Sequence, residues 1–290
     1  MERIAIDVGG THIKGGIIDT NLTLKDKMKI ATPNNIDAKI TDAVFELVQR
    51  YIDKHHLTHP QIGISTAGVV DESAGRIVYT GPTIPNFNGT NFKALLARFS
   101  KDVHVYNDVN AALLGELSLY DYDAKNIFCL TLGTGIGGAF YDQHSGLYNG
   151  ARNRANEIGY LLYRSTGETT YELRGSVRAL KQRMQAQHFE HGDDVIKLFE
   201  LAIDEGDSKA QDILNAWSED VAEGIAQIQI LYDPELILIG GGISSQGERL
   251  LRYITPKIAH YLPPEYGHAR IQTMQTRNDA ALYGAVSQFH

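Results

Sequence analysis

One sixteen-residue pattern occurs twice in this chain of 290 residues, first as IAIDVGGTHIKGGIID (Ile4 to Asp19) and again as IFCLTLGTGIGGAFYD (Ile127 to Asp142). Each copy runs through an apolar strand, a turn containing glycine, a Gly-Gly pair, a second apolar strand and an aspartate. Both read as β-hairpins, and the repeat reads as a degenerate duplication of one supersecondary unit. A duplicated hairpin within α/β surroundings predicts two like domains facing each other across a cleft. The boundaries expected are 1–117 for a smaller N-terminal domain and 118–277 for a larger C-terminal one. A last helix at about 278–290 is expected to pack on the first domain.

The remaining pattern fills in α/β elements. Ile36, Ile40, Val44, Leu47 and Tyr51 recur at helical spacing. Ile62 to Thr66 reads as a short buried strand leading into Ala67-Gly68. Val103 to Tyr106 reads as another, delivering Asn107-Asp108 straight into a helix over Asn110 to Leu119. The apolar positions from Ile213 to Leu231 mark a long amphipathic helix stopped by Asp233-Pro234. Trp217 on that helix is expected in the core. Leu236 to Ile239 is an apolar strand opening into Gly240-Gly241-Gly242.

Composition narrows the class. Hydrophobic residues make up 43% and charged residues 21%, and the formal charge is −8. That acidic balance lacks the footprint of a nucleic-acid binder. The single cysteine, Cys129, can form neither an internal disulfide nor a multi-cysteine zinc site, which favours a reducing compartment. No apolar run resembles a secretory signal or a membrane span. The expectation is a cytoplasmic protein that binds neither membrane nor nucleic acid.

Glycine turns after strands let backbone N–H groups point outward with no side chain in the way, and such nests hold phosphate oxygens. Three are present: Gly9-Gly10-Thr11, Gly133-Thr134-Gly135 and Gly240-Gly241-Gly242. Together they point to a nucleotide; the alternative is three tight turns. No G-x-x-x-x-G-K-[ST] loop is present, and Gly133 to Gly138 sits between two strands rather than between strand and helix. Phosphoryl transfer also needs a base for the attacking hydroxyl and an acid near Mg²⁺. Asp7, in the first strand, is the candidate for hydrated Mg²⁺. Asp108, at a strand end, is the candidate base; the alternative is a helix N-cap.

These segments resemble a known family. DVGGTHIKGG, TAGVVD, PNFNGTNF, NDVNAALLGE, LGTGIGGA, ANEIGY, LILIGGGIS and NDAALYGA, in that order, are similar to the motifs of the ROK sugar kinases (repressor, open reading frame, kinase) from about Ile4 to Gly284. The resemblance implies a two-domain actin/hexokinase-like, ribonuclease H-like α/β fold with a central cleft. It implies ATP- and Mg²⁺-dependent phosphorylation of a sugar 6-hydroxyl by a homodimer. Carried over by motif, the catalytic base is Asp108. The sugar contacts are Gly68, Asn86, Asn107, Asp108, Glu157 and Glu172. The nucleotide site takes in Asp7, Gly9, Gly10, Thr11, His12, Gly133, Thr134, Gly135, Gly241 and Gly242.

The chain departs from the family pattern in two places. Typical members carry lysine where His12 stands, with Lys14 close by here. Typical members also hold zinc through a histidine and three cysteines; Tyr160 stands at the histidine, and Leu161 to Thr170 has no cysteine. No zinc is expected, and Tyr160, Tyr163 and Tyr171 are the candidates to order that segment, with Tyr163 and Tyr171 read as core. Zinc-less sequences of this kind look most like bacterial N-acetylmannosamine kinases, which implies a role in sialic acid breakdown. The alternatives are a glucokinase or β-glucoside kinase, a non-catalytic sugar sensor, or a repressor. For a repressor the acidic charge is wrong, and a strand at Ile4 leaves no room for a preceding DNA-binding domain. His55, His56 and His59 are read as surface residues, and His191 to Asp194 as a solvated loop.

Overall fold

A computed structural model describes residues 2–81, 84–276 and 278–289. The chain divides into two compact units, one of Met1–Tyr122, Asn149–Ala155 and Asn278–His290, the other of Asp123–Tyr148 and Asn156–Arg277. Nothing in the sequence pattern had marked 149–155 as part of the first unit.

In the first unit, β1 (Arg3–Val8) and β2 (His12–Ile18) form the first hairpin, and β3 (Leu24–Ala31) extends it. The outer face of β3 carries Lys25, Lys27 and Lys29, charges suited to an unpaired sheet edge. Next come α1 (Ile40–His55), β4 (Gln61–Thr66), the small hairpin β5 (Val69–Asp71) and β6 (Arg76–Tyr79), α2 (Phe92–Leu96), β7 (Val103–Asn107) and α3 (Asp108–Leu119). The sheet order is β3-β2-β1-β4-β7, antiparallel through β1 and parallel beyond it. Ile40, Val44, Leu47 and Tyr51 of α1 are buried against this sheet. Ile36 lies outside α1 and is exposed, because Asn34 and Asn35 fold the chain back before it: the Asn34 Oδ1 accepts the Ile36 and Asp37 amides, and the Asn35 Oδ1 accepts the Ile40 amide.

The second unit repeats that topology. β8 (Asn126–Leu132) and β9 (Ile136–Asp142) form the second hairpin, with β10 (Gly146–Leu147) at its edge. Helices α4 (Tyr171–Gly175), α5 (Val177–Ala186), α6 (Val195–Glu200) and the long α7 (Ser208–Tyr232) precede β11 (Leu236–Gly240), α8 (Glu248–Ile258) and β12 (Arg270–Thr273). The sheet order β10-β9-β8-β11-β12 again runs antiparallel through β8 and parallel beyond it. Trp217 is fully buried in this core, and its Nε1 donates to the Gly175 and Ser176 carbonyls. Cys129, inside β8, is buried with its Sγ 3.7 Å from the Met274 Sδ. Asp233 closes α7 in the left-handed conformation.

The last helix, α9 (Ala280–Val286), returns to the first unit and crosses α3 at backbone contact. A Cβ at Gly284 would strike the Ala111 carbonyl, and one at Gly115 would strike the Ala280 carbonyl. Only glycine at both positions allows the two helices so close. Residues 82 and 83, shortly before the PNFNGTNF motif, and Arg277, just before NDAALYGA, lie outside the described residues, as do Met1 and His290. Among the described residues, no helix is long and apolar enough to cross a membrane.

Candidate functional site

The sequence-predicted residues fall into two sets, one in each unit. In the first, the carboxyl ends of the parallel strands carry the polar groups. Register does the assembling. Asp7 on β1 lies opposite Lys14 on β2 and Ser65 on β4. The Ser65 hydroxyl donates to the Asp7 Oδ1 at 2.9 Å, and the Lys14 Nζ reaches Oδ2 at 3.3 Å. Lys14 thus takes its own place beside the first glycine turn, pairing with a buried carboxylate rather than standing free. Gly9 closes that turn by donating its amide to the His12 carbonyl at 3.0 Å, and the Thr32 hydroxyl donates to the Gly9 carbonyl at 2.6 Å.

Asn107 ends β7 opposite Thr66 of β4 and caps α3: its Oδ1 accepts the Val109 and Asn110 amides at 2.9 and 3.2 Å. This corrects the sequence alternative that Asp108 is the cap. The Asn107 side-chain amide donates both to the Gly68 carbonyl at 3.0 Å and to the Asp108 Oδ1 at 2.9 Å. The Val109 amide also donates to the Asp108 Oδ1. Gly68, Asn107 and Asp108 therefore form one connected group at the edge of the sheet. Asn86 sits in the left-handed region (φ 55°), with its amide donating to the Asn35 carbonyl at 3.3 Å. Asn88 is occupied elsewhere, accepting from the Thr80 amide and hydroxyl.

Sequence reading passed over a polar cluster beside this group. The buried Asn110 donates to the Glu72 Oε1 at 3.1 Å and to the Asn149 Oδ1 at 2.7 Å. Burial, partly offset by those amides, holds the Glu72 carboxyl above the usual range. The NDVN motif pointed at Asn107 and Asp108, but nothing local flagged partners 38 and 39 residues away.

In the second unit, two of the three glycine turns meet in one cavity of about 730 Å³. Gly133 and Thr134 line it from the β8–β9 turn, and Gly242 lines it beyond β11. The pairing of Thr131 with Gly240 sets these turns side by side. Arg178 and Lys181 of α5 supply cations to the wall, and Asp193 and Asp194 face them. The stretch His191 to Asp194 is exposed as expected, yet two of its members are employed: Asp193 pairs with Lys181 at 2.8 Å, and Asp194 caps α6. The volume suits a small ligand, and the donor set of turn amides and two cations suits an anionic one.

Glu157 and Glu172 come together beside the same turn. Glu172 Oε2 accepts the Ile136 amide at 3.0 Å, and Arg178 donates to Oε1 at 3.3 Å. A Cβ on Gly135 would stand 2.5 Å from that Oε2, so the glycine makes room for the carboxylate. Glu157 is exposed to solvent, yet protein crowds around it. That crowding, and secondarily the Glu172 charge, raises its carboxyl above the usual range.

The segment between these two acids is ordered differently from the sequence expectation. Tyr160 and Tyr163 are exposed (64% and 63%), so Tyr163 is not core; only Tyr171 is buried, its hydroxyl donating to the Val221 carbonyl at 3.1 Å. The main clamp is ionic. Arg174, 8% exposed, donates to Asp220, to the Glu223 Oε2 at 3.0 Å and to the Leu162 carbonyl at 3.2 Å, while Arg164 pairs with Glu223 and Arg183 with Asp220. An antiparallel bridge between Arg164 and Thr169 closes the loop. Among the described residues, no group of three or more His, Cys, Asp or Glu is placed to hold a metal ion. A Mg²⁺ that rides on phosphates needs only one or two carboxylates and keeps most of its waters, so the lone Asp7 is chemically sufficient for such an ion. His55 is also more than a surface residue: its Nε2 lies 2.8 Å from the Asp26 Oδ2.

The ROK family profile matches residues 3–290. The chain belongs to the ROK family. Among relatives, it is 32% identical to an uncharacterised protein of Clostridium perfringens, over 98% of this chain and 96% of that one. It is 30% identical to a β-glucoside kinase of Klebsiella pneumoniae, over 100% and 96%. Among solved structures, a ROK family glucokinase from Streptomyces griseus in complex with glucose and AMPPNP superposes with a TM-score of 0.80 at 28% identity, covering 98% of each chain. The duplicated sheet described above is thus the actin/hexokinase-like fold of the ROK sugar kinases.

Proposed function

We propose that this protein is an ATP-dependent sugar kinase that transfers the γ-phosphate to a sugar 6-hydroxyl. The observation that carries the reading is the Asn107–Asp108 pair, a carboxylate held at the first residue of α3 by the side chain that caps the helix. Its family membership and the cavity built by two glycine turns support the same reading.

Asp108 accepts the 6-hydroxyl proton and fixes that oxygen for in-line attack, worth roughly 10²–10⁴ in rate for a positioned general base. Asn107 keeps its carboxylate oriented. Glu157 and Glu172 accept hydrogen bonds from ring hydroxyls, so that one alcohol of several is presented. The Thr134 amide, with Arg178 and Lys181, receives the nucleotide phosphates. Asp7, with Gly9, Gly10, Thr11 and His12 beside it, stands at the phosphate side of the first unit. Mg²⁺ supplies charge neutralisation of the phosphates when bound, and Asp7 is the residue to hold its water shell.

For the sugar we propose N-acetylmannosamine, converted to its 6-phosphate in sialic acid breakdown in the cytoplasm by a homodimer. The cysteine-free segment 161–170 and the ANEIGY and TTYE motifs support that choice. A second reading, a glucose or β-glucoside kinase, is favoured by the names of the Klebsiella and Streptomyces relatives. A coupled ADP-release assay over N-acetylmannosamine, N-acetylglucosamine, glucose and cellobiose decides between them. N-acetylmannosamine should give the highest kcat/KM; a preference for glucose or cellobiose moves the assignment to the second reading. No ATP-dependent turnover of any sugar would overturn the kinase reading itself.

A further inference from the structure

Arg178 occupies an unusual place in the second unit. It is the second residue of α5, a helix whose first amide, that of Val177, donates to the Gly133 carbonyl of the glycine turn at 2.9 Å, and whose cap is the Ser176 hydroxyl, accepting the Ala179 amide at 3.2 Å. From there Arg178 lines the cavity beside Gly133 and Thr134 and also donates to the Glu172 Oε1 at 3.3 Å. The other oxygen of Glu172 accepts the Ile136 amide at 3.0 Å. Arg178 is 43% exposed and Glu172 36%, and the Ile136 amide gives the glutamate a second anchor.

We propose that Arg178 is a positioning residue shared by the two substrates, paired with Glu172 when the cavity is empty and drawn to nucleotide phosphate when it is filled. The inference rests on the sugar-kinase reading and adds a link between its two ligands. An exposed Arg–Glu pair contributes little to stability, so a competing anion displaces it readily. A phosphate presents several charged oxygens to the five donors of a guanidinium and makes a stronger acceptor than a carboxylate already sharing its charge with a backbone amide. Release of Arg178 frees the Glu172 Oε1 to accept a sugar hydroxyl. Nucleotide binding therefore strengthens sugar binding, and by reciprocity sugar strengthens nucleotide binding by the same factor.

The test is calorimetric titration of the preferred sugar, as identified by the kinase panel, with and without saturating AMPPNP. Wild-type protein should bind sugar at least about fivefold more tightly with AMPPNP present, the lower end of ordinary coupling. In Arg178→Gln that ratio should fall towards one, and AMPPNP alone should bind about tenfold to a hundredfold more weakly, as for a lost charge-assisted contact. Should the glutamine variant fail to fold, Arg178→Lys, which keeps the charge without the fork, is judged on the same loss of coupling. A wild-type ratio near one, or a ratio unchanged in the variant, overturns the proposal while leaving sugar turnover intact. Absence of any sugar turnover in the wild type removes the kinase reading, and this proposal with it.

Discussion

The Asn107 side chain caps α3 with its oxygen and holds Asp108 with its nitrogen, 2.9 Å from the aspartate Oδ1. One residue thus starts the helix and aims the carboxylate. The free energy of helix capping and the geometry of the proposed base are tied to the same side chain.

Replacing Asp108 by asparagine keeps the size and removes the proton acceptor. Turnover should fall by about 10²-fold or more, with sugar affinity within a few-fold of wild type. Steady-state kinetics and sugar titration check the two halves separately. Near-native turnover would remove Asp108 from its role.

Asn107→Ala acts on both functions of the pair. Loss of the cap should destabilise the protein by about 1 kcal/mol. Loss of the Asp108 partner should lower kcat as well. Restoring the cap alone with Asn107→Ser should recover most of the melting temperature and little of kcat, since serine has no amide to give Asp108. Joint recovery of both would show that the kinetic defect is only a consequence of instability.

Glu157 gives the pH dependence a sign. Crowding by protein, then the Glu172 charge, raises its carboxyl from the ordinary 4.5. Sugar binding needs the ionised form, so kcat/KM for sugar should fall on the acid side at a pH above that of a free glutamate. The stability effect runs the other way: a raised folded value means a contribution present below the unfolded value and lost as pH rises through the folded one. Glu157→Gln should abolish the acid limb, weaken sugar binding and leave the neutral-pH melting temperature equal to or above wild type. An acid limb that survives in Glu157→Gln assigns it to another group.

Much of this arrangement was legible in the sequence because it is local. The two hairpins appear as alternating apolar residues around glycines, and β7 and α3 appear as an apolar strand running into a helical repeat at Asn107-Asp108. What escaped notice depends on partners far away in the chain. Ser65 meets Asp7 across 58 residues, and Arg174 meets Asp220 and Glu223 across 46 and 49. Tyr163 carries no periodic signal that separates a core ring from an exposed one. The segment Asn149–Ala155 lacks a hydrophobic pattern, and contacts such as Asn110–Asn149 tie it to the first unit.

The ionic clamp on the segment after Glu157 makes the last prediction. Arg174 is buried between Asp220 and Glu223 and also holds the Leu162 carbonyl, so the charges of α7 and the backbone of the loop share one guanidinium. Arg183 and Arg164 remain if it is lost, but each serves only one of the two acids. Arg174→Met keeps much of the length and apolar volume while leaving two half-buried carboxylates short of a partner. A cost of about 3 kcal/mol is expected, the lower part of the range for breaking a buried pair. The loosened loop should be cut sooner by protease within 161–170, and because Glu157 and Glu172 flank it, KM for sugar should rise more than KM for ATP. Arg174→Lys restores the charge without the fork and should recover stability only in part. Equal changes in the two KM values would mean that the clamp supports the whole unit and not the sugar side in particular.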